Sequence, residues 1–170
     1  MLAAVIAVFS VLGVNAQKAN FGVTAGYHDF TLKASGGGLT ASASASGFFV
    51  GLTAEFAVSG DFNIVPELQF VRTSKEGESV EQLVMPIMGK YYISDEFNLQ
   101  AGPQIDILIS ESTGINTLGI GLGFGAGYDF SDKIFAMTRY SFGLSNRAEN
   151  APSGASLKFD TFQIGLGYRF

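Results

Sequence analysis

The chain has 170 residues, a formal net charge of -5 and a hydrophobic fraction of 47%, with a single His and no Cys. So apolar and aromatic a composition excludes an intrinsically disordered chain, and the acidic balance gives no electrostatic basis for binding nucleic acid. Without Cys, the chain has no disulfide, no thiolate metal site and no Cys nucleophile, and we expect no cofactor.

Residues 1–16 differ from the rest of the chain and predict a secretory signal peptide. They are uncharged, and Val14-Asn15-Ala16 places small residues at the positions that a signal peptidase reads. The usual Lys or Arg near the start is missing, so either the natural start lies upstream of Met1 or the segment is not a signal. A membrane anchor is the alternative, but the segment is shorter than the roughly 20 residues that a spanning helix needs. We therefore expect residues 17–170 to form the mature domain.

Beyond residue 16, two kinds of residue alternate in eight successive segments. One set is almost wholly apolar and rich in Phe and Tyr, whereas the other contains Gly, Gln, Glu, Lys and Arg, with some apolar residues such as Phe49 and Met137. A period of two predicts strands, and so much Gly, which costs close to 1 kcal/mol per residue in a helix, argues against helices. In chain order, the predicted strands are 20–32, 48–56, 62–70, 83–92, 97–107, 118–128, 134–142 and 162–170.

The composition of the two sets indicates which face of the predicted sheet meets lipid. Strands of about ten residues are long enough to cross a bilayer at a tilt. A soluble lipocalin-like barrel, the alternative, also has eight strands but keeps its apolar side chains inside. Here the Gly-rich polar set is too small and too polar for a dry core, and the apolar set would form an oversized exposed patch in water. The pattern predicts an all-β fold: an eight-stranded antiparallel up-and-down transmembrane barrel with its apolar rows in lipid.

The connections between the predicted strands fall into two classes. Short connections follow the second, fourth and sixth strands, whereas longer polar connections follow the first, third, fifth and seventh, at 33–47, 73–79, 110–116 and 143–158. Outer-membrane barrels have short periplasmic turns and long external loops. We therefore expect a location in the bacterial outer membrane, with both chain ends periplasmic. The expected partners are outer-membrane lipid and an extracellular partner for the long loops.

The first long connection has a biased composition that allows two interpretations. Residues 34–47 consist almost entirely of Gly, Ser and Ala. This composition is typical of a flexible solvated loop, which we predict. The alternation of Ala with Thr or Ser is also compatible with a hairpin that prolongs the first two strands beyond the membrane and presents an edge to a partner.

The polar set that faces the interior of the predicted barrel supplies the candidate site. An eight-stranded barrel is just wide enough for side chains to fill, so buried charges must pair or bind water. We predict that Glu55 and Glu67 pair with Lys90 from a neighbouring strand and Arg139 from the opposite wall, which would plug the interior. A narrow pore or transporter for ions or small solutes is the alternative. The candidate interior residues are Glu55, Glu67, Lys90, Gln104, Asp106, Arg139 and Gln163.

The order of several short motifs is also informative. They include Gly51-Leu52-Thr53-Ala54-Glu55-Phe56, Pro66-Glu67-Leu68, Ala101-Gly102-Pro103-Gln104 and Leu166-Gly167-Tyr168-Arg169-Phe170. In this order they resemble the PorT-like outer membrane β-barrel family of Bacteroides-type bacteria, over nearly all of the mature chain. The resemblance implies an eight-stranded outer-membrane barrel, mostly without assigned activity. Tyr168 and Phe170 also resemble the C-terminal signal by which the barrel assembly machinery, an expected partner, recognises its clients.

An outer-membrane enzyme is the third interpretation. His28 is the only imidazole base, and it is predicted to face inward near the outer end of the first strand. Asp29 follows it, and several Ser lie in the next connection. Because adjacent residues of a strand point to opposite faces, Asp29 is poorly placed to orient His28. We therefore predict no catalytic residues.

Overall fold

The computed structural model describes residues 19–110, 114–149 and 154–170, and the predicted signal peptide lies outside these ranges. The strands are β1 Ala19–Gly36, β2 Leu39–Ser59, β3 Phe62–Lys75, β4 Glu78–Tyr92, β5 Phe97–Leu108, β6 Leu118–Asp129, β7 Ile134–Gly143 and β8 Ser156–Arg169. They form a closed antiparallel barrel in chain order, in which β8 pairs with β1. The predicted fold class is thus confirmed. In the described ranges, no helix is long and apolar enough to cross a membrane.

Side chains alternate between the two faces of the wall as predicted. Leu122, Phe124 and Ile164 face outward, with 37%, 48% and 52% of their surfaces exposed. Glu67 and Arg139 face the interior, where 8% and 1% of their surfaces are exposed. The inward set is therefore buried, including an apolar cluster of Phe49, Val71, Val84 and Met137, and the apolar rows form the outer surface.

β1 and β2 are much longer than the sequence predicts. The two strands pair without a break up to their tips, where Gly37 and Gly38 form a two-residue turn with φ angles of 59° and 80°. Positive φ at both residues gives the twist that suits such a hairpin. The prediction of a flexible loop over 34–47 is therefore wrong, and the second interpretation, a prolonged hairpin, describes the structure.

β3 and β4 also continue beyond their predicted ends. They are joined by a turn at Glu76 and Gly77, which have φ angles of 52° and 91°. The predicted long connection over 73–79 is therefore wrong as well. The connections after β5 and β7 remain longer than a turn, and part of each lies outside the described residues.

The two faces of the wall exchange polarity above Tyr27. Up to Tyr27 the outward row of β1 is apolar, and beyond it this row consists of Asp29, Thr31, Lys33 and Ser35. The inward row changes in the opposite sense, from Thr24 and His28 to Phe30 and Leu32. Phe30 packs with Leu108 and Phe159 in a buried apolar cluster. Residues 29–46, called the extension here, therefore have a polar outer face, as in a water-soluble protein, and lie beyond the outward apolar band.

Candidate functional site: the polar interior of the barrel

A group of four charged side chains and one Tyr lies in the interior at the end that carries the short turns. We call this group, Glu55, Lys90, Tyr92, Asp129 and Arg169, the terminal layer. Glu55 accepts hydrogen bonds from Lys90 Nζ at 3.1 Å and from Arg169 Nε at 3.2 Å. Arg169 also donates to Asp129 at 3.0 Å, and the Tyr92 hydroxyl donates to Asp129 at 2.8 Å. The terminal layer thus links β2, β4, β6 and β8 across the interior.

A second ion pair crosses the interior near the middle of the barrel. Arg139 Nη2 donates to Glu67 Oε1 at 2.6 Å and to Gln100 Oε1 at 3.2 Å. Gln69 Nε2 donates to the other carboxylate oxygen of Glu67 at 2.6 Å. Glu67 lies on β3 and Arg139 on β7, which stand on opposite sides of the ring. The predicted four-residue cluster is therefore divided: Glu55 and Lys90 lie in the terminal layer, and Glu67 and Arg139 form a separate pair.

His28 lies deep in the interior, next to Gln163. His28 is fully buried, and its Nδ1 lies 3.1 Å from Gln163 Nε2, which also donates to Gln69 Oε1 at 2.7 Å. Asp29 lies on the outer face of the wall, where it accepts a hydrogen bond from Ser46 Oγ at 2.9 Å. Among the described residues, His28 and Asp29 are therefore not joined in a catalytic arrangement, as their alternation along the strand predicts.

Arg147, which the sequence analysis missed, lies at the other end of the interior. It lies in the connection after β7, is 1% exposed, and donates to Asp106 at 2.7 Å and to the Thr117 carbonyl at 3.0 Å. Its guanidinium lies 4.6 Å from the ring centre of Phe159. Gly119 provides the space, because a Cβ there would overlap Arg147 Nη1. Strand periodicity does not predict the position of a residue in a connection. The clue in the sequence was Asp106, a carboxylate predicted to face the interior for which no positively charged partner was predicted.

The other predicted site residues lie on opposite faces of the wall: Gln104 inside the barrel, and Tyr168 and Phe170 outside it. Gln104 lies between Arg139 and Arg147 in the interior and accepts a hydrogen bond from Ser141 Oγ at 2.9 Å. Tyr168 and Phe170 face outward at the end of β8, with ring centres 6.1 Å apart. Recognition of these two rings by the assembly machinery stays a prediction.

An ionic contact on the outer face joins the extension to the barrel just beyond the apolar band. Asp160 accepts hydrogen bonds from Lys33 Nζ, the Tyr140 hydroxyl at 2.9 Å and the Gly143 amide at 3.0 Å. Burial acts to raise the pKa of Asp160, but these donors hold it below its usual range. The hydrogen bond to Asp160 in turn raises the pKa of Lys33. The contact links β1, β7 and β8 at the base of the extension.

Replacing Arg147 by Ala is expected to destabilise the barrel by about 3 kcal/mol, because the Asp106 carboxylate is left buried without its cation. Unfolding by urea in detergent micelles measures the loss, and protease cleavage between residues 144 and 155 should increase. Adding Asp106→Asn to Arg147→Ala should recover part of the loss, since a neutral amide needs no counter-charge. An unchanged unfolding midpoint for Arg147→Ala would contradict this role.

Comparison with known proteins identifies the family and the fold. The model of the outer membrane protein beta-barrel domain matches residues 1–170. The attachment invasion locus protein Ail of Yersinia pestis is 14% identical, with a TM-score of 0.57 over 91% of this chain and 100% of that chain. Neisserial surface protein A is 16% identical, with a TM-score of 0.55 over 91% and 100%. At these identities the two structures show a shared fold alone. No curated protein matches the chain in sequence.

Proposed function

The chain belongs to the outer membrane protein beta-barrel domain family, and we propose that its barrel is closed to solutes and anchors the extension outside the membrane. Its role is then structural or interactive. The observation that carries the proposal is the series of buried contacts along the interior. In order, these are the terminal layer, the pair of Arg139 and Glu67, and Arg147 beside the apolar cluster of Phe30, Leu108 and Phe159.

The space left between these contacts also supports a closed interior. A small, partly open cavity lined by Glu55, Lys90 and Arg169 of the terminal layer and by Glu67 has a volume of about 20 Å³. That volume holds about one water molecule, which is less than a hydrated ion needs. An open polar hollow of about 760 Å³ lies at the end of the barrel with the short turns, and Glu55, Asp129 and Arg169 of the terminal layer line it.

We propose that the extension is extracellular and that both chain ends are periplasmic. The short connections 60–61, 93–96 and 130–133 lie at the end of the barrel that carries Ala19 and Phe170, and the extension lies at the opposite end. Outer-membrane barrels have their short turns in the periplasm. The polar outer row of the extension suits water or lipid headgroups and not hydrocarbon.

The finer resemblance to PorT-like proteins and the assembly signal are part of the same proposal. The resemblance rests on the order of motifs from Gly51-Leu52-Thr53-Ala54-Glu55-Phe56 to the closing Leu166-Gly167-Tyr168-Arg169-Phe170. Recognition of Tyr168 and Phe170 by the barrel assembly machinery is supported by their outward orientation at the C-terminal end of the last strand. We propose no catalytic role, since His28 is buried against Gln163 and Asp29 lies on the other face of the wall.

Purified protein in planar lipid bilayers is expected to give no steady ion current above that of protein-free bilayers. A porin in the same bilayers is the positive control. The variant Arg147→Ala should also be silent, because the two inner groups of contacts still fill the interior. Heat-modifiable migration on gels shows that each sample is folded. Steady current from the unaltered chain would contradict the proposal and favour a narrow pore.

A further inference from the structure

The upper part of β2 has a neighbouring strand on one side only. Residues 39–45 pair with β1 along their whole length, but the pairing of β2 with β3 begins only at Ser46 and Ser74. Within 19–110, 114–149 and 154–170, no other strand lies beside these seven residues. Alternate N–H and C=O groups of the segment therefore point outward from an open sheet edge. We call residues 39–45 the open edge.

The open edge lacks the features that protect edges in natural sheets. Exposed edges usually carry charged side chains, Pro, a bulge or a very short strand. Residues 34–54 contain no charged residue and no Pro. The register of β1 with β2 is continuous to the tip, so no bulge turns the edge away. Such an edge is a template for the addition of another strand.

The two faces of the open edge differ in chemistry. Ala45 lies opposite Phe30 of the buried cluster, so the row of Ala41, Ala43 and Ala45 faces the barrel axis. The alternate row consists of Thr40, Ser42 and Ser44, which face outward beside Thr31 and Lys33. Ala41 and Ala43 are exposed, so no wall covers the alanine row. If a strand is added here, its inward apolar side chains bury surface against the alanine row. Its outward polar side chains form hydrogen bonds with the row of Thr and Ser hydroxyls.

Symmetry disfavours a second copy of the chain as the added strand. Two identical strands that pair antiparallel are related by a two-fold axis perpendicular to the sheet. Here the sheet is the barrel wall, so this axis lies in the membrane plane, and the second barrel would be inverted. If the two strands paired in parallel, the two-fold axis would run along the strands, which are tilted by roughly 40° from the membrane normal. The axis of the second barrel would then be tilted by about twice this angle relative to the first. Neither arrangement allows both barrels to span one membrane in the same orientation.

We propose that the open edge binds an extended segment of another protein by strand addition outside the membrane. This inference rests on the proposed display of the extension. The segment is about seven residues long, with apolar and polar side chains in alternation. Running antiparallel to β2, it continues the line of β3 and starts near Lys75, Glu76 and Glu78, which together carry one net negative charge. A cationic residue at its N-terminal end therefore fits the site best.

The test uses a synthetic peptide with the sequence of residues 29–36 and the change Asp29→Lys, Lys-Phe-Thr-Leu-Lys-Ala-Ser-Gly, so that its N-terminal end is cationic. This segment of β1 already pairs with β2 on its other side and has the required alternation. Amide exchange of the protein in lipid nanodiscs is followed by NMR. At a free peptide concentration ten times the Kd, every second amide of the open edge should exchange about tenfold more slowly. The intervening amides, already bonded to β1, should not change.

Two variants of the protein serve as matched controls. Ala43→Lys places a charge in the alanine row, as natural edges do, and should abolish the slower exchange. Ser44→Lys places the same charge in the outward hydroxyl row and should leave it in place. Both positions lie in the exposed part of β2, outside the filled interior. A peptide of the same composition without the alternation should have no effect.

Three results would overturn the inference. They are the absence of any change, a uniform slowing over residues 39–45, and a period-two slowing without peptide that grows with protein concentration. The last result would indicate pairing between copies.

Bilayer conductance on the same preparation separates the two proposals. A conducting barrel that binds the peptide contradicts the closed interior alone, whereas a silent barrel that ignores the peptide contradicts the open edge alone.

Discussion

Replacing Arg139 by Ala is expected to lower the free energy of unfolding by about 3 to 5 kcal/mol. Arg139 is 1% exposed and supplies the only cation that contacts Glu67 among the described residues. Without it, the carboxylate stays in the barrel interior with Gln69 as its donor. A buried charge without its partner is strongly destabilising, because neither water nor a counter-charge replaces the lost interaction.

Unfolding by urea in lipid vesicles or detergent micelles measures this loss. The double variant Arg139→Ala with Glu67→Ala should lose less than Arg139→Ala alone, since both buried charges are then absent. Arg72→Ala is the matched control, because Arg72 pairs with Glu81 at 3.7 Å on the outer surface. It should cost less than about 1 kcal/mol. Equal stability of Arg139→Ala and the unaltered chain would show that the crossing pair does not hold the barrel.

Replacing Leu52 by Arg is expected to cost about 2 to 4 kcal/mol in a lipid bilayer. Leu52 lies in the outward apolar row of β2, and 61% of its surface is not covered by other residues of the protein. If this surface faced water, Arg at so exposed a position would cost little. In hydrocarbon, the guanidinium loses its hydration and has no partner on the outer wall. The size of the loss therefore reports which medium surrounds the barrel.

Ser44→Arg is the matched control for Leu52→Arg. Ser44 lies in the outward row of the same strand but within the extension, where its neighbours are hydroxyl side chains. Its replacement should change stability by less than about 0.5 kcal/mol. Reversible unfolding of both variants in vesicles gives the comparison. Equal costs at the two positions would contradict the proposed position of the apolar band.

The arrangement of side chains around the wall could be read from the sequence because it is local. Adjacent residues of a strand point to opposite faces, so the alternation alone assigned Leu122 and Phe124 to the outside and Arg139 to the interior. Thr138, the one polar residue in the outward row of its strand, fits because its hydroxyl donates to the Gln163 carbonyl at 3.2 Å. The pairing partners inside the barrel were harder to predict, since they depend on the height of each residue in a tilted wall.

The sequence by itself determined the number of strands and the face to which each side chain points, because both follow from the period of two. The tertiary structure decided how far the strands extend and which charges meet. Residues 34–47 suit either a loop or a strand, and they form strands because β1 gains pairing with both β2 and the distant segment 156–161 of β8. Arg147 reaches Asp106 for a similar reason: the closed ring brings a connection after β7 over the end of β5. Contacts between distant parts of the chain leave no periodic trace in its sequence.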